Sequence, residues 1–93
     1  MPDLEARPVD PRDTRWEVWN PSYRVFFWSR TVGGGWASRE FEVTGATVND
    51  AHSWATANAR PDETLTLFAV VAHAGETGVV RLLGDDPTRT ATP

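Results

Sequence analysis

The chain of 93 residues contains no cysteine, lysine, glutamine or isoleucine. Without Cys there is neither a disulfide framework nor a thiolate metal site, so the core must stand on packing alone. Without Lys, all nine basic residues are Arg, and guanidinium stacks on aromatic rings and pairs carboxylates bidentately where an ammonium does neither as well. Lys and Ile codons are rich in A and T, so their absence points to a GC-rich genome of the actinobacterial or phage kind. Long hydrophobic runs are missing too: nothing approaches the roughly 20 apolar residues of a spanning helix. The opening Met1-Pro2-Asp3-Leu4-Glu5 is polar and acidic, unlike a secretory signal. These features lead to the expectation of a cytoplasmic protein without a membrane partner. A net charge of −4 argues against a general phosphate-backbone binder, whose affinity comes from clustered cations, so nucleic acid is not an expected partner. The length makes one domain, which buries only roughly 60–65% of its unfolded surface. A deep private cavity for a large cofactor is not expected, and no cofactor is assigned.

What the chain does have is aromatic side chains in strand-like runs. In Tyr23-Arg24-Val25-Phe26-Phe27-Trp28 the period of two puts Tyr23, Val25 and Phe27 on one face and Phe26 and Trp28 on the other. Both faces want cover. Trp36 to Thr44 reads as a second strand, with Phe41 and Val43 on one face and Ser38, Glu40, Glu42 and Trp36 on the other. Gly33-Gly34-Gly35 between the two runs marks a hairpin, since it lacks the strand–loop–helix setting and the Lys of a phosphate loop.

Thr47 and Asp50 have the spacing of a capping box, and Val48, Ala51, Ala55 and Ala59 form a small-residue stripe until Arg60-Pro61 ends the helix. Trp54 on the stripe's flank suits a lid over the helix–sheet seam. Thr64 to Ala72 is the next strand, with Leu65, Leu67, Ala69 and Val71 toward the helix and Thr66, Phe68 and Val70 away from it. Ala74 to Gly78 turns the chain into Val79–Leu83, whose facing the pattern does not fix, and Gly84-Asp85-Asp86-Pro87 stops that strand. The expected fold is α+β: a small, largely antiparallel sheet of four or five strands in the order β-β-α-β-β, packed on one face by a single helix. Trp16 to Trp19 followed by Asn20-Pro21-Ser22 leaves room for an extra N-terminal edge strand. Residues 1–15 read as a flexible tail, 16–84 as the domain and 85–93 as a polar tail.

Removing the helix-facing set leaves an open face on which Arg24, Phe26, Trp28, Arg30, Trp36, Glu40, Glu42, Phe68 and Val70 stand as candidate interface residues. Rings surrounded by Arg and Glu are the composition of a protein interface. The expected function is a non-catalytic interaction module that homodimerises or binds one partner protein. An inhibitor or immunity-type partner of a toxin or phage component, and a small-molecule accessory stacking a planar acid, are the alternatives. Terminal segments folding over the rings would also satisfy the pattern. Glu40 and Glu42 are the best carboxylate pair, but a solvated strand face is not the concave pocket that acid–base chemistry needs. His52 lies two residues from Asp50 and one from Ser53, spacings that do not face each other on a helix, so no relay follows, and His52 is expected at the core edge. His73 with Asp85 or Asp86 is the nearest approach to a metal set. No catalytic, cofactor or metal residue is assigned.

Overall fold

The computed structural model describes residues 4–14 and 16–89; the parts of the two expected tails at 1–3, 15 and 90–93 lie outside the described residues. The strands are β1 (Tyr23–Arg30), β2 (Trp36–Val43), β3 (Thr64–His73) and β4 (Glu76–Leu83), with α1 (Val48–Asn58) between β2 and β3. They form one four-stranded sheet in the order β2-β1-β3-β4, and each neighbouring pair is antiparallel. This is the expected α+β arrangement. The expected turns close the hairpins, although the second is tighter than the glycine spacing suggests. Thr31 N–H donates to the Gly35 carbonyl at 2.9 Å in the first, where Gly34 takes a φ of 91°. In the second, only Ala74 and Gly75 separate the paired His73 and Glu76. Both have positive φ, 53° and 82°, the primed-turn geometry that matches strand twist.

Helix α1 begins as its sequence requires. The Thr47 hydroxyl accepts from Asp50 N–H at 3.1 Å while the Asp50 carboxylate accepts from Thr47 N–H at 3.3 Å, satisfying two otherwise orphaned donors. Ala51 and Ala55 are fully buried, and their small side chains let the helix sit close over Tyr23, Val25, Phe27 and Leu67. Val48, the first residue of the stripe, is largely outside this contact at 44% exposure. Trp54 closes the seam as expected, meeting Phe41 edge-on at 5.3 Å and Phe27 at 6.0 Å between ring centroids.

The pairing register assigns the strand whose facing the sequence left open. Val80 pairs with Ala69 on the helix side and Val79 with Val70 on the other. Leu67 pairs with Leu83 and Phe68 with Arg81, so Leu82 is an extra residue and the strand bulges there. No fifth strand forms at Trp16–Trp19 among the described residues. That segment instead runs on from β1 along β3: Val70 N–H donates to the Ser22 carbonyl at 2.9 Å, and Trp16 stacks on His73 at 5.2 Å.

Candidate functional site

The register brings the nine candidate interface residues to one face. Across the sheet, Glu42, Arg24, Phe68 and Arg81 form one row, Glu40, Phe26 and Thr66 the next, and Ser38, Trp28 and Thr64 a third. Trp36 opposes Arg30 at the far end, with the Arg30 guanidinium 4.9 Å over the Trp36 ring. Phe26 meets Phe68 edge-on at 5.3 Å and Trp28 at 5.7 Å. Phe26, Phe68 and Val70 are half-buried, while Arg24, Arg30, Trp36, Glu40 and Glu42 are exposed. Both carboxylates accept from hydroxyls, Glu40 from Ser38 at 2.8 Å and Glu42 from Ser22 at 3.2 Å.

Trp28 is the exception on this face. It is 7% exposed, and its indole N–H donates at 3.0 Å to the Thr66 hydroxyl. That hydroxyl donates in turn to the Asp85 carbonyl at 2.7 Å. The segment after β4 therefore folds back to the Thr66 end of the face. Gly84 makes the reversal, with a φ of 82° and its Cα so close to the Leu65 carbonyl that a Cβ would overlap it. The expected polar tail, residues 85–93, thus begins with a hydrogen bond to the sheet at Asp85. Trp28 is buried and is withdrawn from the free surface.

No protein-family model matches the chain, and neither a curated protein nor a solved structure matches it.

The titratable groups singled out from sequence are dispersed. His52 is exposed, contrary to its expected place at the core edge. His73 lies at the end of β3 under Trp16, whereas Asp85 stands beside Thr66 near the strand's other end. The antiparallel hairpin separates the two because His73 pairs at its turn and Asp85 follows its open end. Among the described residues no group of three or more His, Cys, Asp or Glu could hold a metal ion. A groove of about 500 Å³ lies between Trp19–Pro21 and the start of α1, lined also by Tyr23, Val48 and Asp50. Its carboxylate, Asp50, is already committed to the capping box.

An ion pair that the strand pattern alone did not mark lies on the helix side of the sheet. Arg39 shares the helix-side parity of Phe41 and lies 4.7 Å over the Phe27 ring and 5.5 Å over Phe41. Its guanidinium grips Glu63 bidentately at 2.8 and 2.7 Å and donates to the Asn58 carbonyl at 3.2 Å. Glu63 also accepts from Arg60 N–H at 2.9 Å, and its side chain is only 3% exposed. The Arg39 hydrogen bonds, chiefly, hold the Glu63 carboxyl down at about 2, below its ordinary 4.5. A cation at the end of the apolar Phe41–Val43 row is the signal that could have located it.

Proposed function

We propose that the protein is a small non-catalytic interaction module that presents the uncovered part of its aromatic sheet face to another protein surface. One observation carries this reading: Phe26, Phe68 and Val70 stand on the two central strands, with Glu40 and Glu42 beside them on β2, Arg24 between Glu42 and Phe68, and Arg81 beyond Phe68 on β4. Central rings with a rim of both charge signs match the distribution of binding energy in protein interfaces. The rim also suits a two-fold mate, because Arg and Glu on one copy find their opposites on the other. A planar small ligand is a poorer fit, since Arg30 already occupies a face of the Trp36 ring. The exposed carboxylates stand on an open strand surface, where nothing displaces water from a reacting group. Among the described residues no helix is long and apolar enough to cross a membrane.

The test is truncation at the centre of the face. Phe68→Ala should weaken association with the protein partner by about 2 kcal/mol or more, as for a central anchor, while far-UV circular dichroism stays native. A partner encoded in the neighbouring genes, or the chain itself at high micromolar concentration, supplies the binding assay. Unchanged affinity in Phe68→Ala, Arg24→Ala and Trp36→Ala alike would remove the face from the interaction.

A further inference from the structure

The sheet ends in two unlike edges. Edge strand β2 carries Arg39, Glu40 and Glu42 along its length, the charged character that discourages strand addition. Edge strand β4 is exposed throughout, with Val79, Val80, Leu82 and Leu83 each 40–50% exposed. The direction of its free backbone groups follows from the ladder. Val70 gives its N–H to Ser22 on the β1 side, so the Val70–Val79 pair is not hydrogen-bonded across β3 and β4. The N–H and C=O of Val79 therefore point outward, and by alternation so do those of Thr77 and Arg81. The two-residue turn agrees, since its closing pair His73–Glu76 falls in the hydrogen-bonded set.

We infer that β4 pairs antiparallel with β4 of a second copy, about a two-fold axis at Val79 and perpendicular to the sheet, making one continuous sheet from both molecules. This extends the interaction-module reading from the face to the edge and does not depend on what the face binds. The register is chosen by the outward groups: only with Val79 opposite itself do Thr77, Val79 and Arg81 all meet outward-pointing residues of the mate. In that register Val80 faces Gly78 of the second copy, where a missing side chain leaves open space. Charge raises no obstacle: Thr77 opposes Arg81, and the two Arg81 residues stand about 14 Å apart, beyond a Debye length at physiological salt. On the open face Val70 and Val79 continue into the same pair on the mate, joining the two aromatic faces into one surface.

Because the chain has no cysteine, single-cysteine variants read the register directly. Cα atoms of a hydrogen-bonded antiparallel pair lie about 5.5 Å apart, inside the range a disulfide spans. Val79→Cys should cross-link to a covalent dimer under mild oxidation, and Arg81→Cys should not. Wild-type protein should sediment as a dimer at high micromolar concentration. Val79→Lys sets two ammonium groups against each other on the axis and should weaken dimerisation about tenfold or more. Val79→Pro removes an N–H that faces away from β3, so it should do the same while the fold remains; if that variant does not fold, the lysine and cysteine variants still decide. A monomer at all concentrations, or equal cross-linking of the two cysteine variants, overturns the inference. So does a dimer lost in Phe68→Ala or Trp36→Ala but kept in Val79→Lys, a result that would leave the face reading standing. A monomer whose β4 edge takes up another protein's strand would likewise refute self-pairing.

Discussion

An ion pair on one face of the sheet and an indole on the other show how single residues hold this small core together. Arg39 and Glu63 fasten the loop after α1 to β2, and the pair is shielded because the guanidinium lies over Phe27 and Phe41. Glu63 has a folded-state pKa of about 2 against an ordinary 4.5. A carboxyl with a depressed folded pKa binds its proton more readily in the unfolded chain, so its contribution is complete above about 4.5 and is lost as pH falls toward 2. Thermal melts between pH 6 and pH 2.5 should therefore show a steep loss below 4.5 in wild type and a shallower one in Glu63→Gln, which starts less stable at neutral pH. Parallel curves for the two proteins would mean the pair does not govern acid stability. Trp28 holds the other face. Trp28→Ala empties a packed site and should cost about 3–5 kcal/mol, a large share of the 5–15 kcal/mol typical of a domain. Trp28→Phe keeps most of the volume and isolates the hydrogen bond to Thr66, for which about 1 kcal/mol is expected. Chemical denaturation followed by circular dichroism measures both.

At the scale of elements, the turns and the helix start follow local rules, and the sequence shows them plainly. The capping box needs only Thr47 and Asp50, and Thr47→Ala should lower stability by about 1 kcal/mol in the same denaturation assay. The faces of β1, β2 and β3 were equally legible, because Phe41 and Val43 alternate with Glu40 and Glu42 in β2 and Leu65 and Leu67 with Thr64 and Thr66 in β3, which leaves one helix-side parity for β1 to share. β4 was not legible. Val79, Val80, Leu82 and Leu83 are apolar at both parities, and the bulge at Leu82 shifts the alternation within the strand. Trp16–Trp19 failed as a strand for a different reason: its rings look like a half-buried edge, yet the segment packs through a stacked ring on His73. The return after β4 was unreadable because its determinant is a close approach between backbones. Gly84 reads as a strand terminator in the sequence, and only the structure shows it against the Leu65 carbonyl. Gly84→Ala meets both a positive φ and that carbonyl. It should detach the segment from Thr66, shift Trp emission to the red and lower the melting temperature more than Gly34→Ala, whose glycine also has positive φ but open surroundings.

For the whole molecule, one short helix against one sheet leaves a shortage of cover, and the two terminal regions answer it unequally. The radius of gyration is 15.9 Å, well above the roughly 12 Å of a compact chain of this length. Part of that excess is the N-terminal region, where Leu4 and Val9 are 91% and 62% exposed. The short 3-10 turn at Pro11–Asp13 is held within itself, with Asp10 accepting from Arg12 N–H at 2.9 Å. Nothing in it is buried. By contrast the C-terminal return closes a path from Trp28 through Thr66 to Asp85 that spans β1, β3 and the segment after β4. This asymmetry predicts opposite outcomes for two truncations. A chain starting at Trp16 keeps every core contact and should unfold within about 0.5 kcal/mol of the intact protein, as surface changes do. A chain ending at Leu83 leaves the Thr66 hydroxyl, which accepts from the Trp28 indole, without its own acceptor, so it should lose about 2 kcal/mol and change its native Trp emission. Equal stability of the two shortened chains would mean that the Asp85 carbonyl contributes nothing through Thr66, and that the indole of Trp28 is held by its strand neighbours alone.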